Sequence, residues 1–318
     1  MKWSNKRVLV TGGAGFIGSE LVKALIKRNA DIVIVDNFST GCKEALNNIG
    51  CTVIDCNVQD LECIERLKQL EPFDIVFHLA APSSDVLFRE KPVECIQATI
   101  IGFINILSLA KSWEVKKFVY ASSSSVYGKT PPPQSERSPT QPTNLYGVSK
   151  LICEKIVKKE NINSIGLRIF AGYGPGEIRK GRIASVVTLF LKSLLQGKPP
   201  IIYGDGSQRR DFIYIEDIIN AFIKAVERDV KGIVNVGTGR SYSFIELLNL
   251  LKDKLSLPRN INPIFVPKPP GYFNHTKADI TLMLRELEIT PMDLDKGIDK
   301  YLEHLNYSKY LRSLLVLH

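Results

Sequence analysis

Tyr146 and Lys150 stand four residues apart in the stretch Tyr146-Gly147-Val148-Ser149-Lys150, a spacing that puts two side chains on one face of a helix. Pro142-Thr143-Asn144 precede the pair and an apolar-periodic segment follows it, so Thr143 or Asn144 is read as the helix N-cap. A free tyrosine titrates near 10, too high for a base at neutral pH. A neighbouring ammonium favours its phenolate. Alone, such a pair is most often an exposed helix pair, so its meaning depends on what else the chain carries.

Two further signals are present. Thr11-Gly12-Gly13-Ala14-Gly15-Phe16-Ile17-Gly18 lies between a β-branched run and a helical pattern. There Gly12 permits a tight turn, Gly15 lets backbone approach a pyrophosphate, and Gly18 lets the helix pack closely with its N–H groups toward the anion. Asp36 ends the next strand candidate, where a carboxylate accepts hydrogen bonds from an adenosine ribose diol and repels a 2′-phosphate. That selects NAD over NADP, and the only nearby cation that could offset it is Lys43, seven residues on. A nicotinamide ring would bring its own positive charge toward Tyr146. The third signal is Ala121-Ser122-Ser123-Ser124-Ser125-Val126-Tyr127-Gly128, at the end of a predicted strand. Its hydroxyls would face the cofactor and orient a sugar hydroxyl; a plain polar loop is the alternative.

Such groups need a scaffold. Residues 7–10, 32–35, 52–54, 75–79, 118–121 and 165–170 read as strands, and helical patterns, the first at 16–29, separate most of them. Apolar strands spaced by helices imply a parallel sheet covered on both faces. Right-handed crossovers wind it doubly, with ligands at the carboxyl ends of the strands. The expected fold class is α/β, a doubly wound parallel (Rossmann) sheet with a second, smaller α/β domain. The texture changes near residue 170, giving a dinucleotide-binding domain at 1–170 with a returning segment at 211–238. Residues 171–210 and 239–318 form the second domain. In it, Ser243 and Glu246 form a capping-box pattern opening a helix at 244–255. The proline-rich stretch 258–271 reads as an irregular loop, and 279–287 as a helix.

Composition sets limits. The 318 residues are 44% hydrophobic and 24% charged, which excludes wholesale disorder. No stretch approaches the roughly 18 uncharged apolar residues of a membrane span, and the N-terminus lacks a signal-peptide core; the expectation is a cytoplasmic protein with no membrane partner. The net charge of +9 is spread along the chain without a basic block, which argues against nucleic acid. The six cysteines form no C-x-x-C pair and the four histidines are scattered, so no metal site is expected and the thiols are read as reduced, packed groups.

Further stretches complete the pattern: Val35-Asp36-Asn37-Phe38-Ser39-Thr40-Gly41, His78-Leu79-Ala80-Ala81, Leu167-Arg168-Ile169-Phe170, Tyr173-Gly174-Pro175-Gly176 and Gly204-Asp205-Gly206-Ser207-Gln208-Arg209-Arg210-Asp211-Phe212. Over nearly its whole length the chain resembles the extended short-chain dehydrogenase/reductases, in their nucleotide-sugar epimerase/dehydratase branch, most like the UDP-sugar 4-epimerases. The resemblance implies an NAD-dependent epimerase acting at C4 of a UDP-sugar through a 4-keto intermediate, and a homodimer packed through helices near 92–113 and 146–159. It makes Ser123, Tyr146 and Lys150 catalytic, with Tyr146 the base and Lys150 lowering its pKa. It assigns NAD to Gly12, Gly15, Phe16, Ile17, Gly18, Asp36, Asn37, Ser39, Thr40, Gly41, Asn57, Val58, Leu79, Ala80, Ala81, Thr99, Tyr146 and Lys150. Substrate falls to Ser123, Ser124, Tyr146, Arg210 and Lys268, with Lys268 replacing a second phosphate-binding arginine that the family carries. Asn57 stands where an Asp is usual, and Thr99 and Ala171 where Asn is common. Related 4,6-dehydratases carry Asp and Glu at the places of Ser124 and Ser125, and related decarboxylases keep the Glu. Those reactions, and a non-catalytic NAD-binding regulator, are the alternatives.

Overall fold

The computed structural model describes residues 2–258 and 260–307. Its first half alternates β1 (Arg7–Thr11), α1 (Phe16–Ile26), β2 (Asp31–Asp36), β3 (Thr52–Asp55), α2 (Leu61–Lys68), β4 (Ile75–His78), α3 (Asp85–Glu90), α4 (Pro92–Ile96), α5 (Gly102–Ser112), β5 (Lys117–Ser123), α6 (Leu145–Val157) and β6 (Ser164–Ile169). The second half adds β7 (Ala171–Tyr173), α7 (Val186–Leu195), β8 (Ile201–Tyr203), β9 (Arg209–Arg210), β10 (Phe212–Tyr214), α8 (Ile215–Glu227), β11 (Gly232–Val236), β12 (Tyr242–Ser243), α9 (Phe244–Lys254), β13 (Ile264–Val266) and α10 (Leu294–Tyr307).

Seven strands form one parallel sheet in the order β11-β6-β5-β4-β1-β2-β3. Val8, Leu9 and Val10 of β1 are all fully buried, because helices cover both faces; that is why the strand runs are continuously apolar rather than alternating. The chain leaves β1 toward β2 on one side and later places β4 on the other. The crevice of a doubly wound sheet opens at such a reversal. The two loops there nearly touch: a Cβ on Gly12 would lie 2.6 Å from the Ala80 nitrogen, and Gly12 has φ +73°.

Local chemistry sets the element ends. Helix α1 stops at Ile26, earlier than its apolar period suggests, because Asn29 adopts φ 58° and Ala30 N–H donates to Leu25 O, an αL termination. Asn144 Oδ1 accepts from Gly147 N–H at 2.8 Å and so caps α6. The Ser243–Glu246 capping box opens α9 in both directions. The helix expected at 279–287 begins with Thr281 N–H on Asp279 Oδ1 and finishes as a wide π-turn, Met283–Leu287.

Three expectations are corrected. The stretch 258–271 is not wholly irregular, for β13 lies in it and pairs in parallel with β8. Cys56 and Cys63 are disulfide-bonded, with Cα atoms 5.5 Å apart at the corner between β3 and α2, while Cys42, Cys51, Cys95 and Cys153 are free. The helix Pro92–Ser112, 21 residues including a π-turn at Gln97–Ile101, is long and apolar enough by composition to cross a membrane. Here Phe103, Ile106, Leu107 and Leu109 of that helix pack into the core.

Segment 211–238 carries α8 and returns β11 to the edge of the sheet beside β6. Strand β10 instead pairs with the short β7. Asp211, fully buried, ties these crossings together. Its carboxylate accepts from Thr238 N–H (2.7 Å), Thr238 Oγ1 (2.6 Å), Gly239 N–H (3.0 Å) and Ala278 N–H (2.9 Å). Replacing Asp211 with Ala leaves three backbone donors without their acceptor. The expected loss is roughly 3 kcal/mol or more of unfolding free energy, measured by urea denaturation, with Asp211→Asn intermediate.

Candidate active site

At the carboxyl ends of β1 to β6 lies a cleft of about 460 Å³, closed on its far side by segment 177–186, Arg210, Phe244 and the 272–276 loop. Gly12, Gly15, Phe16, Ile17, Gly18, Asp36, Asn37, Ser39, Thr40, Gly41, Asn57, Val58, Leu79, Ala80 and Ala81 all line it, as do Ser123, Ser124, Ser125, Tyr146 and Lys150. Sequence reasoning thus named groups from five separate strand ends that the fold brings together. Thr99 is not among the lining residues; it sits buried in the π-turn, its Oγ1 without a hydrogen-bond partner.

The glycine turn fits a dinucleotide. Gly15 precedes α1 without a side-chain cap, so no side chain occupies the helix N-terminus, leaving first-turn N–H groups for an anion. A Cβ on Gly18 would lie 2.0 Å from Gly12 O, so its hydrogen side chain is what lets the helix close onto its own turn. Asp36 Oδ2 accepts from Ala14 N–H and Oδ1 from Phe38 N–H, each at 2.8 Å. A carboxylate has about four acceptor sites, so both oxygens retain capacity for a ribose diol. Burial pushes the Asp36 carboxyl up, opposed by those same N–H groups. Lys43 does not neutralise it: the ammonium pairs with Asp55 at 3.4 Å and lies over the Phe38 ring. The Asn37 and Asn57 amides bond to each other beside Cys56, which also lines the cleft.

Tyr146, Lys150 and Ser123 meet where β5 abuts α6. Lys150 Nζ donates to Ala121 O at 2.9 Å. Tyr146 lies beside the Ser123 side chain and packs on the Phe88 ring, centroids 5.6 Å apart. Burial raises the Tyr146 hydroxyl above its ordinary value, with the Ser123 side chain opposing. The expected lowering by Lys150 is therefore not a property of the protein by itself; burial also lowers Lys150. His78, behind them, is held down to about 3 by burial and then by Lys150. It is neutral at physiological pH and bonds Thr11 Oγ1 at 2.8 Å.

On the opposite wall Arg210 is sandwiched between the rings of Phe244 (5.5 Å) and Tyr272 (5.1 Å). It donates to Arg209 O and Phe273 O; a guanidinium has five donors, so others remain. Lys268 does not join it. That ammonium is exposed outside the cleft and donates to Asn274 Oδ1 at 3.1 Å, because the β13–β8 pairing carries the loop aside. Sequence reasoning missed Lys180, the one lining cation besides Lys150 and Arg210 among the described residues. No local motif marks it, since the folding of segment 177–183 brings it in. The lining carboxylates among the described residues are Asp36 and Glu177. Glu177 is held in place, accepting from Ser185 N–H (2.8 Å), Ser185 Oγ (2.6 Å) and Thr188 Oγ1 (2.6 Å) and pairing with Lys180 Nζ at 3.9 Å.

Comparison with known proteins agrees with this geometry. The model of the NAD dependent epimerase/dehydratase family matches residues 8–237. A putative UDP-glucose 4-epimerase of Methanocaldococcus jannaschii is 36% identical over 254 residues, 78% of this chain and 82% of that protein. A UDP-N-acetyl-alpha-D-glucosaminuronate decarboxylase of Bacillus cytotoxicus is 36% identical over 76% of this chain and 78% of that protein. The crystal structure of UDP-glucose 4-epimerase with UDP-glucose from Thermotoga maritima superposes with a TM-score of 0.89 at 31% identity, covering 95% of this chain and 99% of that one.

The Asp36 geometry carries an expectation. Calorimetric titration of the apoprotein should give NAD an affinity at least about tenfold above NADP, one like-charge contact corresponding to 1.4 kcal/mol or more. Equal affinities would remove Asp36 from the ribose site.

Proposed function

The chain belongs to the NAD dependent epimerase/dehydratase family, and from that premise we propose that it inverts C4 of a UDP-sugar. The observation that carries the reading is the absence, among the described residues, of a free carboxylate where the sugar would react. Ser123, Ser124 and Ser125 line the cleft with Tyr146, Asp36 is held by backbone donors at the end of β2, and Glu177 is occupied by Ser185, Thr188 and Lys180. Eliminating water requires an acid for the leaving hydroxyl and a base for a carbon-bound proton, and serine hydroxyls supply neither unaided.

In this reading Gly12, Gly15, Phe16, Ile17 and Gly18 receive the cofactor pyrophosphate, and Asp36 the adenosine ribose. Asn37, Ser39, Thr40, Gly41, Asn57 and Val58 enclose the adenosine end, and Leu79, Ala80 and Ala81 form the floor. Lys150 reaches the second ribose. Bound NAD supplies the oxidation and re-reduction at C4. The protein's own part is proton management and orientation. Ser123 holds the sugar 4-hydroxyl, and Tyr146 exchanges a proton with it. A cation arriving beside Tyr146 offsets the burial that raises its hydroxyl. Arg210, held between two rings, presents a planar cation to the diphosphate, and Lys180, paired with Glu177 at 3.9 Å, lines the same cleft. The reading also takes in a pair of subunits: Val93, Ile101 and Ile104 of helix Pro92–Ser112, with Leu145 and Val148 of α6, stay exposed and suit a second copy.

Tyr146→Phe keeps the ring against Phe88 and removes the proton carrier. Folding and NAD binding should persist while turnover falls by about 10²–10⁴; most of the activity remaining would reduce the Tyr–Lys pair to packing. Mass spectrometry of products from UDP-glucose, UDP-N-acetylglucosamine and UDP-glucuronate should show isomers of unchanged mass. A product lighter by water or carbon dioxide overturns epimerisation.

A further inference from the structure

Three successive residues at the end of β5 are laced to three residues on one face of α6. Tyr146 lies beside the Ser123 side chain, Lys150 Nζ donates to Ala121 O, and Ser122 Oγ donates to Glu154 Oε1 at 2.5 Å. Tyr146, Lys150 and Glu154 are spaced by four, one turn apart. Only the last of these ties is itself gripped from below. Arg168, register partner of Ser122 on β6, donates from Nε to Glu154 Oε1 (2.9 Å) and from Nη2 to Oε2 (2.7 Å). Its Nη1 donates to the Tyr127 hydroxyl at 2.9 Å, which donates in turn to Asn235 Oδ1 on β11. Both charged side chains are 6% exposed.

A buried ion pair of this kind is a poor source of stability, since desolvation cancels most of its attraction and an apolar pair of similar volume often does as well. Its position suggests another use. We propose that Glu154, clamped by Arg168, is a positioning residue for Tyr146 and Lys150. It fixes the register of α6 against β5 and supplies the anion that acts on Lys150. The inference rests on the reading of Tyr146 and Lys150 as the acid–base pair.

The groups around Lys150 support it. His78 on β4 is neutral and the Cys153 thiol, pushed up to about 11, is neutral too. The Tyr120 hydroxyl on β5, raised well above its ordinary value, stays protonated. Glu154 remains as the anion opposing the burial that lowers Lys150. Removing its charge also leaves Arg168 unneutralised below the site. That excess cation disfavours the Lys150 ammonium and favours the Tyr146 phenolate, so both limbs of the activity profile should move to lower pH.

The test compares Glu154→Gln, Glu154→Asp and the apolar pair Glu154→Leu with Arg168→Met, in the full chain loaded with NAD. Glu154→Gln is expected to stay folded, to hold NAD within a few-fold of the parent, and to lose roughly ten- to hundredfold in kcat with KM little changed. Its kcat–pH profile should shift to lower pH. Glu154→Asp, keeping the charge, should restore the pH profile though not the full rate. The apolar pair should melt near the parent temperature and still be slow. A parental rate and profile in Glu154→Gln overturns the proposal, and so does parental turnover in the apolar pair. An active Tyr146→Phe variant would instead sink the underlying acid–base assignment.

Discussion

The carboxylate of Asp211 is the point on which the assembly of the two halves depends. Three segments distant in sequence, at 171, 238–239 and 278, converge on this one residue: Ala171 N–H on its backbone carbonyl and the others on its side chain. A fully buried carboxylate is costly unless its acceptor sites are filled, and here they are filled by backbone that would otherwise be unpaired. The two requirements answer each other. Burial pushes the Asp211 carboxyl up while the donors hold it down. Because Arg210 and Phe212 flank it and both line the cleft, anchoring Asp211 also sets that wall of the cleft.

Much of the cleft lining was legible because its signals are local. The glycine turn needs only a strand, three spaced glycines and a helix start, and Asp36 needs only the next strand's end. Tyr146 and Lys150 follow from helical spacing, and Asn144 from capping chemistry. What stayed hidden depends on closure over long distances. Lys180 enters through the path of segment 177–183, and Lys268 leaves because Ile264-Phe265-Val266, a run too short to show between prolines, pairs with β8. The Arg168–Glu154 pair joins a strand to a helix fourteen residues earlier through burial, which no pattern of residue types announces. Cys56 and Cys63 are close in sequence, yet only the corner between β3 and α2 brings their sulfurs together.

The environment of Tyr146 shows how a fold prepares a group without finishing it. Burial alone makes the phenol a weaker acid. Lys150, one turn along α6, spends one of its donors on Ala121 O, which aims the ammonium and leaves two donors unassigned. The protein supplies geometry, and the charge balance is completed only by what binds. The opposite wall follows the same logic, since the rings of Phe244 and Tyr272 on either side of Arg210 orient it without any ligand.

Asp36 has a second duty that bears on redesign. Its two oxygens hold Ala14 N–H inside the glycine turn and Phe38 N–H at the start of the following loop, and a Cβ on Gly41 would come within 2.9 Å of Oδ1. The carboxylate proposed to select the cofactor is also a fastener between two loops that line the cleft. Converting this scaffold to a phosphorylated dinucleotide is therefore not a one-residue exchange: any replacement at 36 must still offer acceptors to both N–H groups, and room for the extra phosphate has to be made beside Gly41. Preference and loop architecture are one feature here, and they would have to be altered together.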